Sequence, residues 1–207
     1  MKAIFQTSIK IFPLIIFFTQ FWKERKMVGA ICPSSSFLAR KMLRSIDFKR
    51  AKVIVELGAG TGVITKHLLT QMNNDAIIIV FEVNPHFFKD LENEIKDHRV
   101  ILIKDDAEFI IRHMREAGVT YVDYIISSLP LSNFTDNLSK SIIQSSYNLL
   151  RDKGEYIQFQ YSLNSKSILK SVFDRVYLSF TFFNVPPAYV YTCVKENYDP
   201  IYYNLIR

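Results

Sequence analysis

The sequence predicts an α/β fold: a mostly parallel sheet of seven strands covered by helices on both faces, with an antiparallel last strand and an N-terminal helical extension. Three observations predict it. From residue 53 onward, short apolar runs of strand length alternate with amphipathic stretches of helix length. The first of these runs leads into a glycine-rich turn, Gly58-Ala59-Gly60-Thr61-Gly62. Beyond residue 175 the pattern becomes β-rich around Pro186-Pro187, which reads as a hairpin able to add an antiparallel strand.

In chain order, Pro33-Ser34-Ser35-Ser36 suits a helix start, and residues 37–46 are amphipathic with basic residues on the outer face. Residues 53–57 form a short strand of the fully buried type, and 63–72 a helix after the glycine turn. A second strand covers 76–81, and a helix with proline in its first turn covers 85–96. Residues 99–103 are the third strand, followed by a helix over 107–117 that Gly118 ends. The fourth strand is 121–127, with a helix over 133–150, and the fifth strand is 155–161. A helix near 165–173 precedes the two hairpin arms, 176–183 and 189–195. The chain divides into a helical lead, 1–50, and an α/β domain, 51–207.

Composition narrows the function classes. With 49% hydrophobic and 22% charged residues, a full core forms and general disorder is excluded. Only two cysteines occur, Cys32 and Cys193, far apart and in no CxxC, which fits a reducing compartment and no thiolate zinc site. The four histidines are scattered, so no metal is expected. The net charge of +6 is unevenly placed: residues 1–50 hold ten basic and two acidic residues, while the remainder carries 16 and 18. Such a basic lead suits an anionic lipid surface or a nucleic acid.

The lead also contains an apolar run over 11–18, then Phe21 and Trp22, then the basic Lys23, Arg25 and Lys26. A membrane span needs roughly 20 predominantly apolar residues, a length reached here only by including Gln6, Thr7, Ser8, Lys10, Thr19 and Gln20. A secretory signal lacks its small-residue cleavage site. A helix in the membrane interface, rings in lipid and cations at the headgroups, fits best, and a helix packed on its own domain is the alternative.

The glycine turn lets a ligand approach the backbone closely at a helix N-terminus. Glu82 ends the second strand 20 residues past Gly62, where an acid can take both hydroxyls of a ribose. The pattern GxGxG lacks the third glycine of GxGxxG, and no Gly-Lys-Ser/Thr follows, so a phosphate loop is out and a dinucleotide is disfavoured. Asp106-Ala107 after the third strand would set a carboxylate beside an adenine, and Glu56 beside the turn could serve a cationic amine.

Taken together, Val55-Glu56-Leu57-Gly58-Ala59-Gly60-Thr61-Gly62, Phe81-Glu82-Val83-Asn84 and Asp105-Asp106-Ala107 resemble the class I S-adenosylmethionine-dependent methyltransferases, over about residues 50–195. The resemblance implies the Rossmann-like fold of that class, S-adenosylmethionine as cofactor, and Glu56, Gly58, Ala59, Gly60, Gly62, Glu82, Val83, Asp106 and Ala107 as its binding residues. At the fourth strand end, Ser128-Leu129-Pro130-Leu131 is similar to the Asn-Leu-Pro-Tyr motif of the rRNA adenine dimethyltransferases, but without the amide and without the ring that stacks on a base. An aliphatic amine needs neither.

Three further stretches, 28–35, 127–131 and 158–162 followed by 184–188, look like the bacterial phospholipid N-methyltransferases, a family similar across nearly the whole chain. That resemblance implies stepwise methylation of phosphatidylethanolamine toward phosphatidylcholine, or of ornithine lipids in its relatives. It also implies a cytoplasmic enzyme bound peripherally to the inner face of the bacterial membrane, with phospholipid as partner and no nucleic acid. The family usually has a small residue near Ser128 and Thr near Gln160, so the head group is open. The methyl-transfer candidates are Ser128, Leu129 and Pro130, with Phe159 and Tyr161 able to hold a methylammonium by cation–π contact or simply to pack the sheet. Ser34 and Ser35 are candidates for the cofactor or for capping alone. A fold retained for binding without turnover is the rival outside enzymes.

Overall fold

The computed structural model describes residues 33–182, 184 and 186–196. Its centre is one sheet of seven strands, β1 (Val53–Leu57), β2 (Ile77–Phe81), β3 (Val100–Ile103), β4 (Val122–Ser127), β5 (Leu150–Gln160), β6 (Arg175–Thr181) and β7 (Ala188–Val194). Their order is β3-β2-β1-β4-β5-β7-β6. The first five run parallel, and β7 lies antiparallel between β5 and β6. This is the architecture expected from the alternating pattern. β6 points the same way as β5, so the hairpin tip between β6 and β7 stands at the carboxyl edge of the parallel strands.

Alternation along each strand divides the core in two. Ile54, Ile78, Val80, Ile126, Ile157 and Val190 face α1 (Pro33–Met42), α2 (Val63–Leu69) and α3 (Pro85–Glu94), where Leu38, Ile64, Leu68 and Leu91 complete the layer. Val55, Leu57, Ile79, Phe81, Ile125 and Tyr156 face α4 (Ile110–Glu116), α5 (Asp136–Leu149) and α6 (Lys166–Val172). β2 is apolar throughout, and β1 and β4 are apolar but for Glu56, Asp123 and Ser127, because both faces are covered. Although α1 lies in the basic lead, Leu38, Ala39, Met42, Leu43 and Ile46 are buried against the sheet. Residues 1–32, with the apolar run and Trp22, lie outside the described residues. Among the described residues no helix is long and apolar enough to cross a membrane.

Some boundaries differ from the sequence reading, each for a local reason. The helix expected from 133 starts at Asp136, because Leu131–Asn133 forms a 3-10 turn and Thr135 Oγ1 accepts from the Leu138 N–H at 3.3 Å, capping the helix. β5 begins at Leu150 rather than 155. Asp152-Lys153-Gly154 reads as a turn, yet Lys153 takes a left-handed φ of 62° and the segment keeps pairing: Lys153 N–H donates to Lys195 O at 2.7 Å, and Lys195 N–H to Gly154 O at 3.1 Å. Residues 107–109 are a 3-10 turn ahead of α4.

Candidate active site

The site is built where β1, β2 and β4 end side by side. Gly58 and Ala59 N–H groups donate to Phe81 O at 2.9 and 3.2 Å, and Ser128 N–H to Leu57 O at 2.9 Å, carrying the ladder just past the strands. Gly58, Gly60 and Gly62 then adopt φ of 76°, 55° and 73°. A Cβ on Gly58 would sit 3.1 Å from Leu129 Cδ2, so the turn and the β4 end approach closely there. A Cβ on Gly62 would meet Leu91 Cδ2 at 2.6 Å, so this glycine admits α3 against the first turn of α2.

Glu82 locks the turn. Its two carboxylate oxygens accept from Gly60 N–H and Asn84 N–H, each at 2.7 Å, while Asn84 Oδ1 caps α3 by accepting from His86 N–H at 2.9 Å. Burial pushes the Glu82 carboxyl above its ordinary range, and the backbone donors pull it back. An ionised carboxylate has about four lone-pair sites, so beside the backbone donors of Gly60, Asn84 and Val83 it keeps acceptor capacity for a ligand.

Glu56 is fully buried on β1 beneath the turn. Its Oε2 accepts from Thr65 Oγ1 at 2.6 Å, whereas Oε1 has no partner. Burial drives its carboxyl up to about 7; the Thr65 hydroxyl opposes this and the charge of Glu82 adds to it. A buried carboxylate oxygen without a donor is a standing place for a cation that the protein itself does not supply.

At the β4 end, Ser128, Leu129 and Pro130 are half-buried. The Leu129 carbonyl accepts from Gln158 Nε2 at 2.9 Å, Gln160 Nε2 at 2.8 Å and Leu131 N–H at 3.0 Å. Tyr156 Oη donates to Gln158 Oε1 at 2.7 Å, so a buried polar network on β5 fixes this strand end. The carbonyl is saturated. Leu131 turns into the core on the α4–α6 face, 3% exposed, and presents nothing on which a base could stack.

Thus Glu56, the glycine turn, Glu82 and Ser128-Leu129 meet at one place. Asp106 and Ala107 stand on the neighbouring loop after β3, where Asp106 Oδ1 accepts from Glu108 N–H at 2.9 Å and Ala107 is buried. Val83 is half-exposed beside Glu82. Phe159 and Tyr161 lie on the α1 face of the β5 end, their ring centroids 5.5 Å apart at 77°. Ser34 and Ser35 fall in the first turn of α1, and their side chains lie outside the described residues. Thr65, Tyr156 and the amides of Gln158 and Gln160 were not singled out for these contacts. Only the even spacing of two glutamines on a strand hinted at a shared face.

Residues 29–181 match the methyltransferase small domain family. The chain belongs to it. This methyltransferase is 29% identical over 187 residues to an ornithine lipid N-methyltransferase of Singulisphaera acidiphila, covering 88% of the chain and 97% of that relative. Its fold is similar to that of the 1,6-didemethyltoxoflavin-N1-methyltransferase of Burkholderia thailandensis, a structure with S-adenosylhomocysteine bound; the TM-score is 0.68, identity 13%, and 95% and 94% of the two chains are covered. It is also similar to the N-methyltransferase NodS of Bradyrhizobium japonicum, with TM-score 0.64, identity 11%, and coverage of 80% and 98%.

The methyltransferase uses S-adenosylmethionine, and its own residues fit that cofactor. The left-handed turn bares backbone to a ligand, the orphaned Glu56 oxygen suits an ammonium, and Glu82 retains acceptor capacity for ribose hydroxyls. No group of three or more His, Cys, Asp or Glu among the described residues is placed to hold a metal.

Proposed function

We propose that this methyltransferase methylates the amine of a lipid head group at a membrane surface, with phosphatidylethanolamine as acceptor on the way to phosphatidylcholine. The amine of an ornithine lipid is the second reading, favoured by the name of the relative that matches along nearly its whole length. The observation that carries the lipid-amine reading is that match, joined to a β4 end whose Leu131 is buried where a base-methylating enzyme would need a ring.

The cofactor would supply an electrophilic methyl on its sulfonium. The chain's residues would do the rest. Gly58, Ala59, Gly60 and Gly62 pass the cofactor close to the backbone, Glu82 takes the ribose, Asp106 and Ala107 border the adenine, and Glu56 Oε1 takes the amine of the methionine moiety. Ser128, Leu129 and Pro130, held by Gln158 and Gln160, shape the wall where the acceptor nitrogen lines up, and alignment is the main catalytic contribution. That nitrogen must be neutral to offer its lone pair. All four histidines are elsewhere: His67 and His86 on α2 and α3, His98 on the loop after α3, and His113 on α4 against Asp105 at 2.8 Å. The proton therefore leaves to water or to a carboxylate. Residues 1–32 would hold the enzyme on the inner face of the membrane.

The test is incubation with methyl-labelled S-adenosylmethionine and vesicles containing phosphatidylethanolamine, ornithine lipid, or phosphatidylglycerol alone, followed by chromatography of the lipid extract. Label in an amine lipid is expected. Label only in added RNA, or in nothing, would overturn the reading.

A further inference from the structure

Among the described residues, the buried side-chain oxygens without a hydrogen-bond partner are on Glu56, Glu155, Asn184 and Tyr191. Glu155 pairs with Tyr124 toward the amino ends of the strands, and Tyr191 sits mid-strand in the α4–α6 core. Glu56 belongs to the cofactor site. Asn184 remains, at the tip of the β6–β7 hairpin, on the same edge of the sheet as the glycine turn, Ser128 and Gln160.

Its amide is fully buried, and its orientation is set: Nδ2 donates to Pro186 O at 2.6 Å, so the flipped amide would set oxygen against oxygen. Oδ1 is therefore held as an acceptor with nothing to accept from, a state that native proteins rarely leave unexplained. The same hairpin carries a second unusual feature. Leu178, Phe180 and Phe182 alternate along one face of β6 and its extension, 39%, 37% and 75% exposed. Phe180 and Phe182 meet edge to face at 4.5 Å, and Phe180 leans on Tyr189 at 4.9 Å. Edge strands usually carry charge to discourage pairing, but the only charge on β6 is Arg175 at its far end. An acceptor atom on the same hairpin as an exposed apolar ridge, two residues from Phe182, suits an amine attached to an apolar tail.

We propose that the β6–β7 hairpin is the acceptor-binding element of this methyltransferase: Asn184 Oδ1 accepts a hydrogen bond from the target amine, and the Leu178-Phe180-Phe182 ridge receives the apolar part of the same molecule. The proposal rests on the lipid-amine reading and names the residues that deliver that substrate. The saturated Leu129 carbonyl gives it a reason, since the acceptor that strand end would otherwise offer an amine is already taken by Gln158 and Gln160.

The test uses the full chain and two substrates, vesicles of phosphatidylethanolamine in phosphatidylglycerol and a short-chain, monomeric phosphatidylethanolamine. Asn184→Ala should raise KM for both by about tenfold or more, with affinity for S-adenosylhomocysteine near wild type and a modestly lower melting temperature from the lost bond to Pro186 O. Asn184→Asp keeps the Oδ1 acceptor but sets its second oxygen against Pro186 O, so it should lower the melting temperature further. Its KM should still stay below that of Asn184→Ala, with the pH–rate profile moved upward, because a carboxylate favours the ammonium form that cannot be methylated. Phe182→Ser should raise KM on vesicles by several-fold and change the short-chain substrate less. Unchanged KM in Asn184→Ala, or a KM in Asn184→Asp as high as in Asn184→Ala, would overturn the assignment of Asn184. Failure of the lipid reading looks different: the wild-type protein labels no amine lipid, and the hairpin proposal then falls with it.

Discussion

Glu56 gives the most specific test of the cofactor site. In the free protein its carboxyl titrates near 7, against 4.5 for an ordinary glutamate. With a cation at Oε1 it would ionise fully, so binding near pH 7 should release about half a proton, and affinity should fall about tenfold per pH unit below 7. Calorimetric titration with S-adenosylhomocysteine in buffers of different ionisation enthalpy counts that proton directly. Glu56→Gln keeps the shape and an acceptor for Thr65 but removes the charge. It should weaken binding about 10- to 150-fold at pH 8, the worth of a charge-assisted hydrogen bond of ~1.5–3 kcal/mol. By pH 5 the two proteins should converge, because wild-type Glu56 is then protonated as well.

The stability of the free protein follows with a fixed sign. Between pH 4.5 and about 7 the native state keeps a proton that the unfolded chain has lost, so this group's contribution is full below 4.5 and gone above 7. The difference is about 3 kcal/mol, from 1.36 kcal/mol per pKa unit. Denaturant titrations should show wild type losing stability across that window, with the loss absent in Glu56→Gln and offset by the cofactor in wild type. Equal pH slopes in the two proteins would refute the raised Glu56 carboxyl, and no proton release on binding would refute the placement of an ammonium at Oε1.

The other predictions are shorter. Glu82→Ala should weaken S-adenosylhomocysteine binding and also lower the melting temperature, since it frees the Gly60 and Asn84 N–H groups; a purely ligand-binding role would spare the melt. Gly62→Ala should cost about 1–3 kcal/mol in urea titration, because a Cβ meets Leu91 and φ is left-handed. Leu91→Val alongside it should recover only the packing part. Trp22 is the only tryptophan, and its emission should shift to the blue with anionic vesicles if residues 1–32 enter the interface; unchanged emission would favour a helix packed on the domain.

Much of this fold was legible because its signals are local. β1, β2 and β4 are short apolar runs punctuated by Gly, Pro and Asn, and the glycine turn with Glu82 announced a nucleoside-type site before any geometry was known. What stayed hidden is what depends on partners distant in sequence. Lys153 reads as a turn residue, and only the ladder to Lys195, 42 positions away, keeps it in β5. The two roles of Gly62 and Gly58 look identical in a GxGxG string, yet one admits Leu91 and the other approaches Leu129. Nothing in the string shows that Gln158 and Gln160 spend their amides on the Leu129 carbonyl, 29 and 31 positions away.

That last contact changes how the β4 end is understood. A motif of the Asn-Leu-Pro-Tyr type offers a substrate amine an acceptor and a ring. Here the Leu129 carbonyl is satisfied from within, and Leu131 is withdrawn into the core. Both features that suit a planar base are closed, by a network whose glutamine side chains are buried and so costly to open. The free acceptor has moved to the hairpin, at Asn184, next to the most exposed aromatic on the described surface, Phe182. Discrimination between an aliphatic amine and a base would then come from where the acceptor stands in the sheet. Opening the network by Gln160→Ala should consequently lower turnover on an amine lipid by loosening Ser128-Leu129-Pro130, without conferring methylation of RNA adenine.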